Sequence, residues 1–422
     1  MNMYDVIIIG SGMSSLIMAL YMTGYYPNLS YAIVAKEMMP PRCTFGIFME
    51  QIEGTWIFDH LDRERLFTSV LETEVSCQGE LKNINKKYGI IDNDYFYETI
   101  VSKLKDQVDI ISGKVSSVCR LNGLYIVGMK GNNILGRFVL EGTGKHGSIG
   151  IRREHSVSEN WKQYFVGYKM EFARNHNIER CTLLDWYNPA PGDPIVSFGY
   201  TVPLSDTVLL VEETVLLARG DIPLRFALLE ERLKKRIDYY QLRNYKILEK
   251  EIDWIPLNCG LPSPDSRSFG IGQAGNLINN LSGYTIGYNI YHAPEIAALI
   301  VDTGFNIAGV IRRYWNTKRR IINTINMVGL AVLDSLSQTE IAEFHRYYFR
   351  HIVPDSCHFR MMFLNCDTDC WNPVRVILSY IKYINFPVKY LGMIARKLLT
   401  ETTQNKWINA VVDQDFSKTK NA

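Results

Sequence analysis

The chain has 422 residues, of which 47% are hydrophobic and 21% charged, with a formal net charge of +2. That length supports two or three domains with large cores, and the near-neutral balance leaves no charge footprint for a nucleic acid partner. Eight cysteines run from Cys43 to Cys370 without a CxxC pair, which excludes a zinc-ribbon spacing and predicts reduced thiols in a cytoplasmic protein with no metal.

The first predicted elements lie in residues 4–20, YDVIIIGSGMSSLIMAL. A β-branched strand over 5–9 meets the turn Gly10-Ser11-Gly12, and helical spacing follows through Leu16, Ala19 and Leu20. This is the opening of a dinucleotide-binding βαβ unit, in which glycines let the backbone approach a pyrophosphate at a helix N-terminus. Ser15 stands where the third glycine of the pattern would be. The next strand is expected over 31–35. Behind it, Glu37 is the candidate ribose ligand, with a solvated loop carboxylate as the alternative. The loop over 40–56 brings Arg42 near the cofactor.

A helix over 95–104, a strand over 108–111 and a hairpin around Asn122-Gly123 come next. The strand over 137–140 runs into Glu141-Gly142-Thr143-Gly144, where the chain passes beside the dinucleotide again. Strands over 165–172, 181–187, 195–202 and 207–213 then read as an inserted antiparallel sheet. The helix over 224–240 carries Glu230, Glu231, Arg232, Lys234 and Lys235 on a face expected to be solvated. Gly272, Ala274 and Gly275, with Ser282, Gly283 and Tyr284 before a long helix, form a second phosphate- or ring-binding element. Two such elements, early and late in the chain, suit a molecule as long as FAD.

Several segments resemble the lycopene β- and ε-cyclases. Residues 207–219, TVLLVEETVLLAR, are similar to the phenylalanine/leucine-Glu-Glu-Thr-Ser-Leu segment of that family. Residues 44–50 are similar to its Tyr-Gly-Val-Trp segment, 139–144 to its Val-Leu-Asp-Ala-Thr-Gly, and 184–186 to its Met-Asp-Trp. Residues 255–262 resemble Ile-Pro-Met-Gly-Gly-Pro-Leu-Pro, and 270–284 resemble the run from Gly-Ile-Gly to Ser-Thr-Gly-Tyr. The helical tail, 329–334 and 344–349, is laid out similarly. The chain departs from the family at Ser15, at Glu141 and at Asn279-Asn280-Leu281, which replaces His-Pro-Ser.

The resemblance implies an α/β fold, α+β overall: a Rossmann-type FAD-binding domain with an inserted antiparallel-sheet substrate domain and a helical C-terminal region. The expected boundaries are 1–150 and 251–305 for FAD binding, 151–250 for the insertion and 306–422 for the helices, with part of 45–90 open to either sheet domain. The implied activity is an isomerase of carotenoid biosynthesis that cyclises a polyene or prenyl chain with reduced FAD, NAD(P)H serving as reductant. The alternative is an FAD-dependent oxidoreductase or monooxygenase acting on an apolar small molecule. A weaker one is flavin binding without catalysis.

The chemistry asks independently for a carboxylic acid kept neutral near pH 7, because an alkene must be protonated. Glu212 and Glu213 are adjacent on a strand, so only one faces a pocket. Glu212 is assigned as the acid, Glu213 to a hydrogen-bonding or charge-pair network, and Asp185 is the alternative acid. Tyr168, Trp186, Phe198 and Tyr200 are the candidate aromatic walls.

No uninterrupted apolar run reaches the roughly 18 residues of a membrane span. Over 374–399, Arg375, Lys382, Lys389 and Arg396 recur every seven residues on an otherwise apolar helix. That stripe suits peripheral membrane contact, and equally a helix packed on the protein with its basic edge in water. The basic run Arg312, Arg313, Lys318, Arg319 and Arg320 reads as a solvated face.

Overall fold

Two β-sheets and the helices packed on them organise the chain. The computed structural model describes residues 2–351, apart from 78, 146, 155–160, 194 and 220–225. The basic stripe of 374–399 therefore lies outside the described residues. The fold opens as the sequence predicts, with β1 (Met3–Ile9), α1 (Met13–Tyr25) and β2 (Tyr31–Ala35). Every residue of β2 is buried, as are Val6 to Ile9 of β1, so both are covered on two faces in the manner of parallel strands.

The chain then leaves through β3 (Gly46–Phe48), the short α2 (Arg63–Leu66), β4 (Phe67–Cys77) and β5 (Glu80–Ile91). It returns through α3 (Asn93–Leu104), β6 (Val108–Ser112), β7 (Val115–Leu121), β8 (Leu124–Met129) and β9 (Asn132–Glu141). Asn122 and Gly123 at the β7–β8 turn have φ of 51° and 83°, the two positive values that a type I′ hairpin turn requires. The first sheet has the order β6-β2-β1-β9-β8-β7, with β1 parallel to both β2 and β9. The chain thus reverses direction across the sheet beside β1, and the carboxyl ends of β1 and β9 flank a crevice of the kind that receives ligands in open α/β sheets.

The second sheet is built from β10 (Trp161–Phe172), β11 (Cys181–Asp185), β12 (Ser197–Pro203), β13 (Val208–Val215) and β14 (Ala218–Arg219). After α4 (Phe226–Tyr239) it gains β15 (Tyr245–Pro256) beside β10. Its order is β14-β10-β13-β12-β11-β4-β5-β3, so strands of the early excursion complete it. The expected antiparallel pattern has one exception: β4 runs parallel to β11. These two strands come from separate passages of the chain, and no hairpin fixes their relative direction.

β16 (Phe269–Gly270) returns to pair with β9. The helices α5 (Ile286–Asp302), α6 (Ile307–Tyr314), α7 (Thr317–Leu333) and α8 (Gln338–His351) follow. α5 lies against α1, and their apolar faces close one side of the main core with Leu16, Ala19, Leu20, Ala293, Ile296 and Ile300.

Two charged runs are not the solvated faces they suggest. On α4, Arg232 and Arg236 are fully buried and lie on the same side as Leu229, Leu233 and Ile237, because carboxylates wait beneath them. In the 312–320 run, Arg312 and Arg313 are exposed, but Arg319 makes a two-pronged pair with Glu295 at 2.8 and 2.6 Å. Arg320 does the same with Glu154 at 2.7 and 2.6 Å.

The late glycine cluster is set by close backbone approach. A Cβ on Gly275 would lie 2.0 Å from the Gly270 carbonyl oxygen, which no side-chain movement relieves. Gly275→Ala is therefore expected to cost about 1–3 kcal/mol through overpacking, read as a lower urea midpoint at unchanged slope.

Candidate active site

Strand β13 carries Glu212 and Glu213 through the interior of the second sheet, where Leu209 to Val215 are all buried. Alternation sends the two carboxyls to opposite faces. The register then decides what each meets. Glu212 stands opposite Gly167 of β10 and Tyr200 of β12, whereas Glu213 stands opposite Val166 and Gly199. Asp185 of β11 is in turn opposite Gly199.

On the Glu213 face, α4 supplies the counter-charge. Arg236 Nε donates to Glu213 Oε2 at 2.5 Å, and its Nη1 donates to Asp185 Oδ2 at 2.9 Å. Arg232 Nη1 pairs with Asp193 at 3.2 Å, and Ser197 Oγ donates to Glu213 Oε1 at 2.5 Å. Gly199 makes this possible, because a Cβ there would lie 2.7 Å from Arg236 Cδ and Nε. Burial opposes the Arg236 charge, but Glu213, Tyr240 and Asp185 more than restore it, so its pKa ends above the ordinary value. Asp185 also accepts a hydrogen bond from the Tyr240 hydroxyl. It is thus committed to an ion-pair network on the face away from the cavity, which corrects its expected role as an alternative acid. Tyr168 shares that face and is hydrogen-bonded to Glu230, so it is not an aromatic wall of the cavity.

On the other face lies a cavity of ≈ 700 Å³. Glu212 lines it together with Tyr88, Phe198, Tyr200, Tyr284 and His345. Among the described residues, the Glu212 carboxyl has no hydrogen-bond or ion-pair partner. Burial first, and the nearby Glu251 second, hold its pKa well above the carboxylate range. The Tyr200 hydroxyl donates to that of Tyr88 at 3.3 Å, and burial raises the pKa of both phenols. Phe48 packs edge-on to Tyr88 and Tyr284, with ring centroids 5.0 and 5.3 Å away. Burial pushes the His345 imidazole down to about 4, and it is neutral at pH 7. Trp186 sits behind Phe198 and His345 rather than on the wall.

The same cavity is also lined by Gly12, Gly144, Gln273, Ser282 and Gly283. Gly10 has φ of 100°, and its Cα lies so close to Gly142 that a Cβ would stand 2.5 Å from that carbonyl. Ser15 is tucked under Gly142, and Ser14 lies beside Gly272. Ala274 is buried and offers its carbonyl to Arg153 at 2.6 Å. The N-terminus of α1, at Gly12, has no side-chain cap and no acidic residue in its first turn, and space is open at the Gly12 Cβ position. These free N–H groups fit a pyrophosphate, and the glycine-rich residues around them therefore fit an elongated dinucleotide such as FAD.

Two expected ligands and two departures from the family pattern are used differently. Glu141 is fully buried and accepts from Ile149 N, Gly150 N, Ser268 Oγ and Thr143 Oγ1 at 2.6–3.0 Å, which knots the following loop. Glu37 is exposed beside Lys36, and its main-chain oxygen accepts from Ser11 Oγ at 2.8 Å. Neither Glu37 nor Arg42, which is also exposed, lines the cavity. Asn279 Oδ1 accepts from the main-chain N–H groups of Leu281 and Ser282, so this departure from the family stabilises the loop itself.

Sequence reasoning missed Tyr88, Gly167 and Glu251. Glu251 belongs to the alternating run Glu249, Glu251, Asp253, which imitates the charged outer face of an edge strand. Tyr88 sits on an early strand with no motif around it. Only the pairing of β5 with the second sheet brings it to Glu212.

The profile of a family described as Lycopene cyclase protein matches residues 5–356. The lycopene beta cyclase of Synechococcus elongatus is 23% identical over 365 residues, covering 82% of this chain and 86% of that protein. The lycopene beta cyclase of Narcissus pseudonarcissus is 22% identical over 332 residues, or 72% of this chain, which spans 63% of that longer protein. A solved structure of a geranylgeranyl bacteriochlorophyll reductase-like protein from Thermoplasma acidophilum aligns with a TM-score of 0.66 at 13% identity, covering 91% of this chain and all of that one. This last likeness concerns the fold alone.

The Glu213 network yields a stability prediction. Arg236→Met leaves Glu213 and Asp185 buried without their shared cation and is expected to cost about 3–5 kcal/mol, measured by equilibrium denaturation at neutral pH.

Proposed function

The chain belongs to the lycopene cyclase family, and we propose that it closes a ring at the end of an acyclic polyene or prenyl chain by protonation, with FAD as cofactor and no net redox change. The observation that carries this reading is Glu212, a buried carboxyl without a partner among the described residues, on the wall of a cavity that also reaches the glycine turns. An acid that must give its proton to an alkene has to be neutral beforehand, and burial without a counter-charge achieves that.

In the proposed reaction, the Glu212 hydroxyl proton passes to the terminal double bond. A neighbouring double bond closes onto the resulting tertiary cation, and loss of a ring proton, returned to the Glu212 carboxylate directly or through water, restores neutrality and the acid. Substrate and product then share one formula. Tyr88, Tyr200, Tyr284 and Phe198 present aromatic faces that favour a passing positive charge and exclude water. Gly10, Ser11, Gly12, Ser15 and Gly142 to Gly144 would hold the ADP end of FAD, with Gly272 to Gly275 and Ser282 to Tyr284 toward its ring end. FAD bound in reduced form would supply electron density that stabilises a cation, and NAD(P)H would serve only to prime it. The stripe over 374–399 is proposed, on its spacing alone, to rest at the membrane interface where such a substrate is found.

Expression in lycopene-accumulating cells tests the reading. The expected product is cyclic and isobaric with the substrate, and Glu212→Gln is expected to lower its formation by a factor of about 100 or more while flavin absorbance is retained. A product heavier by two hydrogens or one oxygen would replace this reading with the oxidoreductase one. Full activity in the flavin-bound Gln variant would remove Glu212 from its role.

A further inference from the structure

Glu251 is the buried carboxyl that the reaction above leaves unused. It stands on β15 opposite Gly167, which on its other side is opposite Glu212. With strands about 4.8 Å apart, the two glutamates flank one glycine on one face of the sheet. A Cβ on Gly167 would lie 2.7 Å from Glu212 Cγ and 3.3 Å from its Oε1, so the Glu212 side chain leans across the glycine toward β15.

The two carboxyls have unequal surroundings. Glu251 Oε1 accepts from Thr44 Oγ1 at 2.6 Å, its Oε2 accepts from the Thr44 N–H at 2.9 Å, and Lys169 stands 3.9 Å away. Glu212 has none of these. The other titratable groups nearby do not reverse the asymmetry. Burial pushes the Cys43 thiol up to about 11, which leaves it neutral at pH 7, and Tyr200, Tyr284 and Cys181 are likewise held neutral by burial. Lys145 is paired with Asp253, and Glu249 with Lys169 at 2.9 Å.

We propose that Glu251 is a positioning residue for the proton donor: clamped at both oxygens by Thr44, it carries the negative charge of the pair and leaves the proton on Glu212. The proposal rests on the reading of Glu212 as the acid. Burial raises the proton affinity of both carboxyls, Glu251 acts on Glu212 through its charge, and only at Glu251 do the Thr44 donors and Lys169 oppose burial, so Glu251 takes the charge. Glu251 thereby opposes ionisation of Glu212 at the pH where an isolated glutamate would have lost its proton. The loop that carries Thr44 gains a role in the chemistry without touching the substrate.

The test uses the full chain loaded with FAD and an acyclic polyene in mixed micelles. Because activity needs protonated Glu212, and removing a neighbouring anion makes Glu212 easier to ionise, Glu251→Gln is expected to move the alkaline fall of kcat to lower pH by about one unit or more. Its kcat on the acid plateau is expected to stay within about threefold of the parent. An infrared carbonyl band of protonated Glu212, assigned by its absence in Glu212→Gln, is expected to vanish at correspondingly lower pH. Thr44→Val, which keeps both carboxyls, is expected to weaken that band about twofold or more at neutral pH, since Glu251 then competes for the proton. An unmoved alkaline limb and band, or a kcat lowered equally at every pH, overturns the proposal. Full activity in Glu212→Gln overturns the reading of the acid instead, and the titration of the band still reports on the pair.

Discussion

Everything at the centre of this protein depends on how one buried strand disposes of two consecutive carboxyls. The Glu213 face of β13 carries a full set of counter-charges from α4 and tolerates an ionised group. Among the described residues Glu212 itself has no such partner, and burial holds its pKa well above the carboxylate range. Both side chains are buried. What separates them is that one face is closed by a helix bearing two arginines and the other opens on a tyrosine-lined cavity.

Glycines make both arrangements sterically possible. Gly199 vacates the volume that Arg236 fills, and Gly167 vacates the volume over which Glu212 leans. The same device recurs in the first sheet, where Gly10 and Gly142 let β1 and β9 end against the start of α1. In each case a missing Cβ serves a neighbouring group more than the glycine's own chain. The cavity joins these two regions, so Glu212 and the glycine turns line one space although Gly12 lies 200 residues before Glu212 and Gly283 lies 71 after it.

Much of this was legible in the chain. The β-branched run before Gly10-Ser11-Gly12 gave strand, turn and helix, Asn122-Gly123 gave its hairpin, and the consecutive glutamates announced that only one faces a pocket. Local chemistry suffices for such features, because propensity, turn geometry and alternation act over a few residues. The segment 45–91 was harder, since its strands resemble any others and only their pairing partners assign them to the second sheet. Arg232 and Arg319 were misread for a similar reason. A charged residue on an amphipathic pattern looks solvated until a distant carboxylate is known to face it.

The sequence by itself determined the family, the two-ended glycine pattern and the pair of residue types able to protonate an alkene, because these are written in short contiguous segments. Only the tertiary structure decided which carboxyl faces the cavity without a counter-charge among the described residues. Proton affinity depends on the surroundings of a group, and those of Glu212 are assembled from β5, β10, β12, β15 and the loop at Thr44, which meet only when the second sheet closes.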